Sequence, residues 1–273
     1  PAELCEKGRK IILSVLKEEG FDAVALGPKE TRYGSVETWS DAKKCADLFK
    51  AHRGAIDGIL VTLPNFGDER AAADASRLAG LSVPILVHAF PDEPGRLTIE
   101  NRRDSFCGKM SVCNNLTQYG IPYTIGKDHV LSPTSPRFRE ELRWFVDVCR
   151  VVRGLRGARV GCIGERTTPF KTVRYSEKLL EASGISVESK SMVEAVGEIS
   201  ALKDDDAPVR AKLTKLTGYL PGSREVPARA LMTSAKLGVV LDRWMEEYRI
   251  STYAIQCWSA MQDALKIFPC SIM

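Results

Sequence analysis

The hydrophobic pattern of the first 130 residues alternates between helical spacing and short continuous apolar runs. Ile11, Ile12 and Val15 share one face of a helix that Gly20 would end. The runs at 59–63 and 85–88 have no polar face, which is typical of strands covered on both sides. The predicted helices are 4–20, 40–54, 68–79 and 104–118, and the predicted strands are 23–26, 59–63 and 85–88. This alternation predicts a parallel sheet with helices on both faces.

The same alternation starts again after a proline-containing stretch at 131–136. Ser135 and Pro136 have the chemistry of a helix start and open an amphipathic helix. The further predicted elements are strand 159–163, a helix from Thr168-Pro169 to Gly184, strand 185–187, two polar helices over 192–217, helix 226–248 and strand 252–256. We therefore predict an α/β protein with two Rossmann-like (flavodoxin-like), doubly wound parallel-sheet domains in series, residues 1–132 and 133–273.

Composition narrows the functional classes. The 273 residues are 44% hydrophobic and 27% charged, which excludes a disordered or fibrous chain. The net charge of +4 is too small to indicate nucleic-acid binding by itself, and no apolar run is long enough for a membrane span. No signal segment opens the chain, so we predict a cytoplasmic protein. The eight cysteines form no Cys-x-x-Cys pair and are expected to be reduced.

Both ends of the sequence have the character of internal segments. The chain starts with proline and ends in an apolar stretch without a polar tail. We expect a piece of a longer polypeptide, in which Ile267, Phe268, Ile272 and Met273 pack against a further part of the protein.

Candidate chemistry lies in the loops that follow the predicted strands, because open parallel sheets bind ligands at the carboxyl ends of their strands. Several of these loops place polar side chains beside an aromatic ring, which suits a polyhydroxylated ligand. No Gly-x-Gly-x-x-Gly, phosphate-binding loop or Gly-x-Ser-x-Gly motif is present, so nucleotide cofactors and a serine nucleophile are not indicated. His88 lies inside an apolar strand and is interpreted as a core histidine.

Four segments together resemble the first two domains of the L-fucose isomerase and L-arabinose isomerase superfamily. They are residues 62–69 (TLPNFGDE), 104–108 (DSFCG) with the helix through Asn114, Asn115 and Leu116, 160–166 (VGCIGER) and 254–258 (AIQCW). The resemblance implies an aldose–ketose isomerase that moves a proton through an ene-diol. In such enzymes a divalent metal, typically manganese, polarises the sugar oxygens, and two carboxylates act as acid and base.

The resemblance also assigns roles to residues. Gln256, beside Trp258, corresponds to a substrate-contacting glutamine, and the loop of Asn65 and Phe66 to one that reaches a neighbouring subunit's active site. The substrate-binding candidates are Gln256, Trp258, Asn65, Phe66 and Arg166. The family's metal-binding Glu and Asp follow the position of Met273, and its metal-binding His lies in a third, C-terminal catalytic domain. No catalytic residue or metal ligand is therefore assigned here.

Two functions remain open at this point. The first is an isomerase-like protein, active in its full-length, metal-loaded form as a trimeric or hexameric homo-oligomer. This chain alone would then be inactive and bind no metal. The alternative is a non-catalytic two-domain sugar-binding or regulatory module. Both bind a small-molecule sugar, and neither binds nucleic acid or a membrane.

Overall fold

A computed structural model describes residues 2–219 and 225–272, and its chain divides into two compact units, Pro1–Arg153 and Gly154–Met273. Both units combine helices with a parallel sheet, which confirms the predicted α/β class. In the described part of each unit the sheet has three strands. No helix among the described residues is long and apolar enough to cross a membrane.

The first unit is built around the sheet order β1-β2-β3. Its elements are α1 (Ala2–Glu18), α2 (Trp39–Ala51), β1 (Ile59–Leu63), α3 (Glu69–Ala79), β2 (Ile85–Ala89), α4 (Ser105–Gln118), β3 (Thr124–Ile125) and α5 (Pro136–Leu155). Strand β2 is buried along its whole length because β1 and β3 flank it and helices cover it. Capping fixes the helix starts: the Thr38 hydroxyl accepts from the Asp41 N–H at the start of α2, and the Asp68 carboxylate accepts from the Ala71 N–H at the start of α3.

Helix α5 belongs to the core of the first unit. The Ser135 hydroxyl accepts from the Phe138 N–H at 3.2 Å, which confirms the predicted helix start. Phe138 and Leu142 then pack against Ile12 of α1 and against Phe90. The compact units consequently divide within the last turn of α5, at 153/154, so most of this helix lies in the first unit; the predicted domain boundary at 132/133 would place it in the second. Pro136 starts this helix, and the proline-containing stretch at 131–136 does not end a packing unit.

The second unit has the sheet order β5-β4-β6. Its elements are β4 (Arg159–Ile163), α6 (Glu177–Ala182), β5 (Ser186–Lys190), α7 (Met192–Ala201), α8 (Ala207–Tyr219), α9 (Ala228–Tyr248), β6 (Thr252–Ile255) and α10 (Ala260–Leu265). Helix α9 supplies much of the core, with Leu237, Leu241 and Trp244 buried against Ile163 of β4 and Met261 of α10. Because one face of α9 is buried, its apolar residues recur at helical spacing, and this spacing predicted the helix.

Two sequence predictions are wrong in their secondary structure. Residues 23–26 are not a strand: Leu26 is buried against α2, and its carbonyl accepts from the Arg9 side chain at 3.0 Å instead of from a neighbouring strand. The predicted helix from Thr168 to Gly184 is α-helical only from 177 to 182, with a single 3-10 turn at Lys171–Val173, because residues 168–176 are exposed and bury no apolar face. Strand β3 and helix α10 were not predicted.

The apolar end of the chain packs partly within the second unit. Ile267 is buried in its core, and Ile272 is partly buried against the same cluster, so both side chains have apolar contacts within the unit. Phe268 is 69% exposed. Met273, the last residue of this expectation, lies outside the described residues.

Candidate functional site

The sheet of the second unit reverses its strand order at β4. From β4 the chain passes to β5 on one side and later returns to β6 on the other. The register pairs Ile163 with Ile255, and the Gln256 N–H continues the ladder by donating to the Ile163 carbonyl at 2.9 Å. Ligands of open parallel sheets bind outside the carboxyl ends of the strands at such a reversal. The loops after β4 and β6 are therefore the candidate site of this unit.

The side chain of Gln256 ties these two loops together. Its Oε1 accepts from the Glu165 N–H at 2.8 Å, and its Nε2 donates to the Trp258 carbonyl at 3.3 Å. Gly164 makes room for this amide: its φ is +75°, and a Cβ there would lie 2.7 Å from Oε1 of Gln256. Gln256 is thus held in place by main-chain partners, with a second amide hydrogen and a second lone pair left for a ligand.

An exposed aromatic pair lies at the same edge. The ring centroids of Phe170 and Trp258 are 5.3 Å apart with the planes tilted by 51°. Trp258 is 55% exposed and Phe170 39% exposed. Large aromatic side chains usually bury most of their surface, so two exposed rings in contact form an apolar surface suited to the C–H face of a sugar. Phe170 was not among the sequence candidates.

Arg166 organises the turn that carries Phe170. Its Nη1 donates to the carbonyls of Thr167 at 3.2 Å and Thr168 at 2.9 Å, and the Phe170 N–H donates to the Thr167 carbonyl at 3.0 Å. The guanidinium therefore holds main-chain groups next to the aromatic pair. Of the five sequence candidates, Gln256, Trp258 and Arg166 lie together in the second unit.

At the end of the neighbouring strand β5 lies a buried lysine, Lys190, whose charge is paired with two glutamates. The Nζ of Lys190, the last residue of β5, lies 2.6 Å from Glu198 and 3.4 Å from Glu194, both on α7, and 6.0 Å from the centre of the Trp244 ring. Burial works against its charge, but the hydrogen bond and charge of Glu198, with help from Glu194, outweigh it and raise the pKa of Lys190. This lysine fastens α7 to the sheet and is not free to bind an anion.

The other two sequence candidates lie at the corresponding edge of the first unit. Asn65 and Phe66 follow β1; the Asn65 Oδ1 accepts from the Cys5 thiol at 3.5 Å, and Phe66 is 41% exposed. Burial raises the pKa of Cys5, so the thiol keeps the proton that it donates. The Phe66 carbonyl lies where a Cβ on Gly108 would be, at 2.0 Å, so α4 approaches this loop closely only because residue 108 is glycine.

Arg103 supports the same edge of the first unit. Its Nη1 donates to the Pro64 carbonyl at 2.8 Å, its Nε donates to Glu93 at 2.9 Å, and its guanidinium lies 5.7 Å from the centre of the Phe90 ring. Its hydrogen bonds lower the pKa of Glu93. The loops after β1 and β2 are thereby joined through one arginine, a role that no sequence motif indicated.

The described part of the chain contains no group of side chains arranged to bind a metal ion. Among residues 2–219 and 225–272, no three His, Cys, Asp or Glu side chains gather as they would around an ion. His88 is a core residue, as predicted: it is 2% exposed, its Nδ1 lies 2.9 Å from the Thr62 hydroxyl, and its Nε2 lies 2.9 Å from the Leu131 carbonyl. The described residues therefore form no ready-made ligand cluster for a divalent cation.

Parallel sheets with polar and aromatic loops at their carboxyl ends are typical of α/β proteins that bind small polar molecules. Residues 1–156 match the family described as fucose/sulfoquinovose isomerase, N-terminal domain. The match covers more than half of the chain, which belongs to this family and is a sugar isomerase-like protein. The resemblance inferred from the sequence is confirmed. A comparison with curated proteins found no match.

Proposed function

We propose that this protein binds a sugar of the kind that aldose–ketose isomerases interconvert. The observation that carries the proposal is the family assignment of residues 1–156, together with the Gln256-tied loops at the strand reversal of the second unit. Gln256 would bind a sugar hydroxyl with its remaining amide donor, and Trp258 would stack on the sugar's C–H face. Arg166 would shape the adjoining turn and supply its remaining N–H groups.

The proposal also covers the detailed architecture of the two units and the loop of Asn65 and Phe66 in the first unit. We assign both units to the doubly wound, flavodoxin-like architecture. The β5-β4-β6 order of the second unit matches the opening 2-1-3 strand order of that fold, whereas the described strands of the first unit follow chain order, β1-β2-β3, so its assignment rests on the sequence pattern. Asn65 and Phe66 would contact sugar in a neighbouring subunit of a trimeric or hexameric homo-oligomer. This assembly and a cytoplasmic location are proposed from the sequence resemblance.

The isomerisation itself is proposed for the full-length protein, as a proton transfer through an ene-diol assisted by a divalent metal, typically manganese. The described residues do not gather a ligand set for that ion. No step of the reaction is therefore assigned to this chain, whose part is sugar recognition.

Sugar binding tests the proposal. Calorimetric titration of the 273-residue chain with L-fucose and with sulfoquinovose should show saturable binding of at least one of them. Gln256→Ala should weaken that binding by about 1–3 kcal/mol, because a ligand hydroxyl loses its partner and the loops lose their tie. Gln118→Ala, a matched change at an exposed position of α4, should leave it unchanged. Binding that is absent, or equal in the Gln256 variant, would contradict the proposed site.

The alternative, a non-catalytic sugar-binding or regulatory module, predicts the same binding but a different activity. An aldose-to-ketose assay of the full-length protein with manganese distinguishes the two. Turnover supports the isomerase, whereas sugar binding without turnover supports the module.

A further inference from the structure

We propose that Phe170 is a sugar-binding residue, acting with Trp258 as one aromatic surface. This inference rests on the proposed function, because it takes the strand reversal of the second unit as the sugar site. It adds a residue that neither the sequence motifs nor the family match indicated, since Phe170 lies beyond residues 1–156.

The position of the pair carries the first step. Phe170 lies in the segment that follows β4, and Trp258 in the loop that follows β6, so the two rings come from the two strands between which the order reverses. Their centroids are 5.3 Å apart. A ligand bound outside these strand ends would meet both rings at once.

The exposure of Phe170 carries the second step. The side chain is 39% exposed and takes no part in the core cluster of the second unit, so its ring contributes little to folding. Its contact with Trp258 leaves both rings accessible, with planes tilted by 51°. Two accessible aromatic ring faces of this kind can stack on a sugar ring that has C–H groups on one face.

The surrounding hydrogen bonds carry the third step, because they fix the main chain from which both rings project before a ligand arrives. The Phe170 N–H donates to the Thr167 carbonyl, which also accepts from Arg166. On the other loop, Gln256 donates to the Trp258 carbonyl. Such pre-organisation reduces the entropy lost on binding. The occupant that fits is a hexose or deoxyhexose, with hydroxyl groups toward Gln256 and a C–H face on the aromatic pair.

The test compares variants of the 273-residue chain in titrations with L-fucose and sulfoquinovose. Phe170→Ala should raise the dissociation constant about two- to tenfold, the range of an aromatic contact, and Phe170→Tyr should keep affinity near wild type. Val173→Ala, a truncation at a 54%-exposed position of the same segment, is the matched control and should change nothing. In saturation-transfer NMR, irradiation of aromatic protons should mark the sugar's ring C–H protons, and this signal should weaken in Phe170→Ala.

The outcomes separate the two proposals. If Trp258→Ala weakens binding while Phe170→Ala and its saturation transfer match wild type, the role of Phe170 is overturned and the proposed sugar site stands. If the wild-type chain binds neither sugar, both are overturned. If Phe170→Ala and Phe170→Tyr weaken binding equally, the ring's aromatic face is not the cause, and the inference is overturned as well.

Discussion

At the scale of single residues, His88 shows how burial sets a histidine's protonation. Its ring lies between Phe90, at 5.4 Å, and Phe138, at 4.4 Å. Burial is the main cause that lowers its pKa to about 4, against the partial opposing effect of the hydrogen bond to the Leu131 carbonyl. The neutral ring therefore donates from Nε2 to that carbonyl and accepts at Nδ1 from the Thr62 hydroxyl.

This lowered pKa predicts an acid-labile first unit. Below pH 6.5 the unfolded chain takes up a proton on His88, whereas the folded chain does not until about pH 4, so stability falls as the pH drops through this window. Between pH 7.5 and 5 the loss should be about 2 kcal/mol. Native-state hydrogen exchange of β1 and β2 amides measures it for this unit.

The matched variants are His88→Asn and His52→Asn. His88→Asn keeps a polar group at the site but cannot titrate, so the acid-dependent loss should largely disappear, although the variant is less stable at neutral pH. His52 is exposed at the end of α2, and the loss should persist when it is replaced. An unchanged pH dependence in His88→Asn would show that other groups cause it.

Gln256 and Phe170 show which site residues a sequence can reveal. Gln256 directly follows a short apolar strand, so the rule about strand ends placed it among the candidates and the family resemblance singled it out. Phe170 approaches Trp258 only because the turn at Thr167, held by Arg166, brings the chain back over the loop after β6. Such a turn depends on main-chain hydrogen bonds that no residue spacing encodes.

At the scale of elements, the contact between β4 and α9 depends on a glycine. A Cβ on Gly161 would lie 2.6 Å from the buried ring of Trp244, so Gly161→Ala should destabilise the second unit by about 1–3 kcal/mol through overpacking. Gly197 in α7 has open space around it, and Gly197→Ala should stabilise the helix by about 0.5–1 kcal/mol. Hydrogen exchange of β4 amides reports both changes; effects of the same sign would contradict this packing.

The elements that sequence predicted well share one property: they bury a face. Strands β1 and β4 and helix α9 have apolar patterns that match their observed bounds closely, since burial against neighbours produced those patterns. The segment before α6 misled the prediction because Thr168-Pro169 is favourable helix-start chemistry without an apolar face behind it. Strand β3 has two residues, too few for any periodicity.

At the scale of the whole molecule, family membership and the candidate site fall on different parts of the chain. The family match ends at residue 156, before β4 begins, whereas Gln256, Trp258 and Arg166 lie in the second unit. Periodicity predicted both α/β units, but the position of their division depended on where α5 packs. Sequence spacing could not decide that, because an amphipathic helix fits either neighbour equally well.

Metal binding by this chain depends on whether the carboxylates at the strand ends are available as ligands. Asp68 caps α3 and pairs with Arg70, Glu93 pairs with Arg103, and Asp92 accepts from the Asp104 N–H. Glu165 is exposed. Carboxylates that already serve as caps or ion-pair partners must give up those contacts before they can ligate a cation.

We therefore expect manganese to bind the 273-residue chain only weakly, with a dissociation constant of about 1 mM or above, as for a cation with few fixed oxygen ligands. Electron paramagnetic resonance measures this directly, because free Mn²⁺ is observed in a titration of the protein with and without L-fucose. In the same samples the chain alone should convert no aldose to ketose, since enolisation needs a hard cation with open positions for two sugar oxygens. Stoichiometric binding or turnover that disappears in Glu165→Gln or Asp68→Asn would place the metal in this chain, at the very strand ends where these carboxylates lie.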